Sequence, residues 1–212
     1  MTRYWLLLVV VLALPAAAPA QTPGSISLST LDGLLPAPDA QQWTPVTQRE
    51  RFTFYVETTF SLSTIGGAGV SAALRQRAHQ PYEWHQGTAG FSRRFGDSLA
   101  KSGVRLTLRY ALAAALKEDN RYIASPKTTF RGRLWDAMAS TYEARDERGH
   151  KRFGFSKFAG NAGGSIIGRY WEPPSWQGGP RVARDFALTS VLQMGYNVAS
   201  EFTPGLIRRL KH

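Results

Sequence analysis

The densest group of chemically capable side chains is Glu118-Asp119-Asn120-Arg121-Tyr122. Adjacent carboxylates beside an arginine suit acid–base work when burial and charged partners drive their pKa values apart. The same residues also suit a helix end, where an Arg–carboxylate pair sets the direction of the next segment. Arg-Tyr pairs at 109–110, 121–122 and 169–170 favour that structural role. Glu118, Asp119 and Arg121 are therefore the candidate catalytic residues, with the structural reading beside them.

Residue types argue against other catalytic chemistries. The chain has no cysteine, which removes a thiol nucleophile and any Cys-containing zinc site. His79 and His85 flank Glu83 in one loop, but a separation of six residues matches no recognised ligand spacing, so no metal is expected. Gly87-Thr-Ala-Gly90-Phe-Ser92 is not the Gly-x-Ser-x-Gly elbow of a serine hydrolase. No sequence feature points to a cofactor.

Two patterns point instead to contact surfaces. Gly160, Gly164 and Gly168 recur at i, i+4, i+8 and leave a strip without Cβ atoms on one helix face. Ser63/Gly67/Ser71, Gly96/Ala100 and Gly195/Ala199 repeat the small-xxx-small spacing. Helical glycine costs up to about 1 kcal/mol relative to alanine, so close packing must offset it. Such strips serve close crossings in a soluble bundle, or packing in a membrane or a self-associating assembly. The second pattern lies on residues 89–117. At about 100° per residue, Arg94, Lys101, Arg105 and Arg109 share a basic face beside an apolar stripe of Phe91, Phe95, Leu99, Leu106 and Tyr110. That pairing resembles an interfacial helix on anionic lipid, and equally the wet side of a bundle helix.

The elements that must position these residues are helical. Thr47-Gln-Arg-Glu50 fits a capping box opening a helix over 45–60. Further helices are expected over 62–79, 89–117, 130–143, 156–170 with Ser156 as its cap, and 181–202 with Pro204 ending or kinking it. The charged segment 145–152 reads as a solvated loop. The spacing thus predicts an all-α single domain, a bundle of five to six helices over 44–212.

Residues 118–122, with upstream GFSRRFGDSLAKSG and the glycine-rich helix running from Gly160 to a Pro173 stop, resemble a family of uncharacterised exported bacterial helical proteins. The resemblance covers most of 45–203 and implies a helical fold, with no activity attached.

The N-terminus carries the address. Arg3, the apolar run 5–14 and the small-residue tail 15–20 form the three parts of a cleavable signal peptide, with 21–43 a Pro/Gly/Ser-rich arm. An apolar run of ten residues is about half a bilayer span. Removing 20 of 212 residues leaves 192, and losing Arg3 takes the formal charge from +11 to +10. Export makes nucleic acid a poor partner for that charge. The remaining anions are lipid head groups, envelope polysaccharide phosphates and acidic proteins. Neither uncharged stretch, 58–74 or 186–200, has the apolarity of a spanning helix.

The leading expectation is a non-enzymatic protein of the periplasm or outer membrane. It would pack through glycine-faced helices and associate peripherally with an anionic lipid surface, an envelope protein or further copies of itself. The alternatives are a periplasmic enzyme using Glu118 and Asp119 in an interhelical cleft, and a carrier of an apolar ligand, which would need a cavity of roughly 300 Å3 or more.

Overall fold

A computed structural model describes residues 44–210. The expected signal peptide 1–20 and arm 21–43, and His212, lie outside the described residues.

The described residues form an all-α fold with six α-helices and one small hairpin: α1 (Gln48–Thr59), α2 (Leu62–Arg77), α3 (Gly87–Leu116), α4 (Phe130–Ala139), β1 (Glu143–Arg145), β2 (Lys151–Phe153), α5 (Phe155–Gly168) and α6 (Gly179–Leu210). Single 3-10 turns, Tyr82–Trp84 and Pro174–Trp176, precede α3 and α6. The Thr47/Glu50 capping box forms, with the Thr47 N–H donating to Glu50 Oε2 at 2.8 Å and the Glu50 N–H donating to Thr47 Oγ1 at 3.3 Å. Thr129 caps α4 by the one-way bond, its hydroxyl oxygen accepting from the Gly132 N–H at 3.3 Å.

Helix α3 is the axis of the molecule. Helices α1, α2 and α5 all pack on it, while α6 bridges α5 and α4. Where a loop was expected after α4, β1 and β2 pair antiparallel with Ala144 opposite Arg152. Ala144 is buried, and Tyr142, Phe153, Phe158 and Phe186 form an aromatic cluster beneath the turn. The charged residues flanking that turn conceal the pattern of two three-residue strands. Helix α6 continues past position 204 to Leu210.

The interior is unusual in composition. The buried apolar residues are Ala68, Ala72, Ala113, Ala137 and Ala144, whereas Arg94, Asp97, Lys101, Glu118, Lys157, Asn161, Glu172 and Glu201 are buried alongside them. Large apolar side chains stand exposed on every helix, including Phe52, Leu62, Phe91, Trp135, Phe158 and Val191. Buried charges survive only when paired and hydrogen-bonded, so polar networks rather than large apolar side chains hold the interior.

Candidate functional site

The basic face and the glycine strip meet each other. A Cβ built on Gly160 would come within 2.9 Å of the Arg105 carbonyl oxygen and 3.1 Å of Arg109 Cβ. One on Gly164 would come within 3.1 Å of Arg105 Cβ and 3.2 Å of the Lys101 carbonyl oxygen, and one on Gly168 within 2.5 Å of Lys101 Cε. The glycines of α5 thus let the backbone of α3 approach closely, and the stems of three basic residues fill the seam.

Of Arg94, Lys101, Arg105 and Arg109, expected as a membrane or anion contact, Arg94 and Lys101 are buried here and Arg105 and Arg109 are half-buried. Arg94 is fully buried and clamps the loop before α3, donating to the carbonyl oxygens of Gln80 at 2.8 Å, Pro81 at 2.9 Å and His85 at 2.8 Å. Lys101 is buried and donates to Glu172 Oε1 at 2.7 Å. Arg109 donates to Asn161 Oδ1 at 3.1 Å, and burial together with the neighbouring Arg105 lowers its pKa to about 10. Burial lowers Arg105 also, opposed by Asp185. A helical wheel cannot tell a basic face turned to water from one turned to polar partners on another helix.

The second expected site resolves into separate structural tasks. Glu118 is buried and accepts from the Ser156 N–H at 2.9 Å, the Ser156 hydroxyl at 2.6 Å and the Phe155 N–H at 3.2 Å. A carboxylate on the free N–H groups of a helix start satisfies them and opposes the helix dipole. The N-cap position itself is Gly154, so Ser156 is held by Glu118 instead of capping α5 with its own side chain. Asp119 accepts from Arg121 Nη2 at 2.9 Å and Nε at 3.1 Å, and its backbone pairs with that of Arg145. The Tyr122 hydroxyl donates to Glu201 Oε2 at 2.6 Å, and Arg133 Nε donates to the other oxygen of Glu201 at 2.7 Å; burial, then that bond to Glu201, pushes the Tyr122 pKa up. Asp119 and Arg121 do line a crevice, but its volume of about 30 Å3 admits a water and no substrate. Glu118 is not among its lining residues.

Lys157 borders the same crevice and donates to the carbonyl oxygens of Ser140 at 2.9 Å and Glu143 at 2.5 Å. Burial, then the charge of Arg109, lowers its pKa to about 7 despite Asp119, Glu143 and Glu118 nearby. Its only sequence signal is a lone lysine among small and aromatic residues in FSKFAG.

The most developed cluster lies at the opposite end of α5 and involves residues the sequence reading did not join. Asp97 accepts from Trp171 Nε1 at 2.8 Å through one oxygen, and from Arg75 and, at 3.5 Å, Lys101 through the other. Arg75 also reaches Glu172 Oε1 at 3.2 Å and stacks between the Trp84 and Trp176 rings, 5.4 and 5.1 Å from their centroids. Arg181 covers Trp176 at 4.8 Å. Burial raises the Glu172 pKa even with Lys101 and Arg75 on its carboxylate. Beside this cluster opens a cleft of about 340 Å3 lined by Trp84, Arg93, Gly96, Asp97, Ala100 and Trp171. The Asp97/Lys101 pair at i, i+4 is the signal that would have found it, since both residues stand on one face of the longest amphipathic stretch.

Among the described residues, no group of three metal-ligating side chains converges, and no helix is long and apolar enough to cross a membrane. No family model, curated protein or solved structure matches the chain.

Proposed function

We propose that this chain is a non-enzymatic protein of the bacterial cell envelope, in the periplasm or at the outer membrane, that associates peripherally with a membrane surface. The observation that carries the reading is the inverted distribution of side chains: alanines and paired charges inside, and Phe, Trp, Leu, Ile and Val standing exposed on all six helices. Scattered apolar residues are normal on a protein in water, but such broad exposure marks contact with another apolar phase. Because it is spread over every helix, a lipid boundary suits it better than the footprint of one partner protein. The N-terminal segment 1–20 and the likeness of 118–122 and 160–173 to an exported bacterial family support the location.

The enzymatic alternative draws less support, since the oxygens of Glu118 and Asp119 are already engaged by Phe155, Ser156 and Arg121. Flotation with anionic phospholipid vesicles tests the proposal. The protein is expected to float with the vesicles and to stay with them in about 1 M NaCl, where the Debye length falls to ~3 Å and charge attraction fades. Release by salt would assign the contact to surface lysines and arginines instead. A protein that stays soluble and monomeric with no vesicle association would overturn the reading, and assembly into a defined oligomer would assign the apolar exterior to further copies.

A further inference from the structure

We infer that the cleft beside Trp84 and Trp171 binds a small organic anion, its apolar body lying between the two indoles and its acidic group paired with Arg93.

Three observations converge on this chemistry. The first is shape. The cleft, of about 340 Å3, is at the small end of the range for ligand sites. Arg93, Gly96, Asp97 and Ala100 succeed one another at i, i+3, i+4 and i+7, so one face of α3 forms its floor. A Cβ on Gly96 would meet nothing within 4 Å. Unlike Gly160 or Gly164, this glycine is not required by any described neighbour, although glycine weakens a helix interior.

The second observation is that the walls are held in place before any ligand arrives. The Trp171 indole donates to buried Asp97 at 2.8 Å. Trp84 is one layer of the stack Trp84–Arg75–Trp176–Arg181, with cation-to-centroid distances of 5.4, 5.1 and 4.8 Å. Aromatic walls already fixed in position lose little freedom when a flat or chain-like apolar group enters.

The third is charge. Behind the floor, Arg75 and Lys101 are matched by Asp97 and Glu172 in one ionic cluster. Asp97 therefore presents no free negative charge to the cleft. Arg93 is exposed and makes no ion pair among the described residues. It sets the sign of the lining, and its guanidinium fork matches a carboxylate or phosphate.

Calorimetric titration of the full chain with 2-naphthoate, 2-naphthylmethanol and 2-naphthylmethylammonium tests the inference, and dodecanoate distinguishes an acyl body from a ring. The naphthoate is expected to bind saturably and about threefold to tenfold more tightly than the ammonium compound, because exposed Arg93 attracts the one and repels the other. Arg93→Gln should abolish that preference while retaining the alcohol. Gly96→Leu should fill the cleft and remove binding of all three, with the thermal melt unchanged or raised because no described atom stands in the way. Arg148→Gln, in the remote hairpin turn, should change nothing. Absence of saturable naphthoate binding overturns the inference, and so does binding that persists in Gly96→Leu, which would place the probe on the general apolar exterior. Vesicle flotation of Gly96→Leu should match the parent protein, so this site and the membrane reading stand or fall separately.

Discussion

Gly160 of α5 lies against the backbone of Arg105 in α3 so closely that a methyl group there would sit 2.9 Å from the Arg105 carbonyl oxygen. Backbone cannot rotate out of the way as a side-chain tip does, so the helices would have to separate. Gly160→Ala is therefore expected to destabilise by ~1–3 kcal/mol, the usual cost of overpacking, although alanine is the better helix former. Gly96→Ala and Gly103→Ala, with nothing within 4 Å of the new methyl, should instead gain up to about 1 kcal/mol. Urea midpoints at unchanged m-value read both signs. Equal effects at Gly160 and Gly96 would mean that the seam does not constrain the fold.

Glu118 supplies the second prediction. Its carboxylate accepts from the first two amides of α5 and the Ser156 hydroxyl. Glu118→Ala leaves those donors unpaired in a buried place, at a cost of ~2–3 kcal/mol for hydrogen bonds to a charged group. Glu118→Gln keeps an acceptor and should lose less. Hydrogen exchange at the Phe155 and Ser156 amides should accelerate in Glu118→Ala ahead of the rest of α5. Unchanged exchange there would remove the capping role.

These two sites show how far the sequence is legible. Helix count, the capping box at Thr47 and the glycine spacing are local patterns, and local patterns survive without a three-dimensional context. The hairpin was hidden because two three-residue strands carry too little alternation to read. Basic residues at 94, 101, 105 and 109 were correctly placed on one face, but a wheel does not say what the face meets. Their partners, Glu172 and Asn161, lie 71 and 52 residues away along the chain. Apolar character alone does not locate a side chain here either, because glycines and alanines bring backbones together while Phe91 and Val191 stand exposed.

Asp97 is the hinge of the ionic cluster, with Trp171, Arg75 and Lys101 all on its carboxylate. Asp97→Ala leaves buried Lys101 and half-buried Arg75 to share Glu172 alone, and is expected to cost ~2–4 kcal/mol, toward the range for breaking a buried pair by removing one partner. Asp97→Asn retains an acceptor for the Trp171 indole, so it should preserve the aromatic environment while still losing stability. Near-ultraviolet circular dichroism reports the tryptophans and urea melts report the stability. A mild effect of Asp97→Ala in both would show that Glu172 alone suffices for Arg75 and Lys101.

The last prediction concerns pH. Unfolded, the Lys157 amine keeps its proton to about 10.5, whereas in the fold burial lowers its pKa to about 7. Between those values the unfolded chain carries the extra proton, so stability rises with pH by up to ~1.4 kcal/mol per unit. Below pH 7 both states are protonated, and the contribution is level at its least favourable value. Tyr122 and Tyr196, both raised by burial, oppose the trend only above about 10, where the unfolded tyrosines begin to ionise. Arg109, lowered to about 10, adds to the trend from there upward. Urea midpoints measured from pH 7 to 9 should therefore climb in the parent protein and flatten in Lys157→Met. The substitution leaves the Ser140 and Glu143 carbonyls without their donor, so its absolute stability falls for a second reason. The slope, not the level, isolates the proton. Parallel slopes in the two proteins would place the Lys157 charge in the fold at every pH, balanced by Glu118, Asp119 and Glu143.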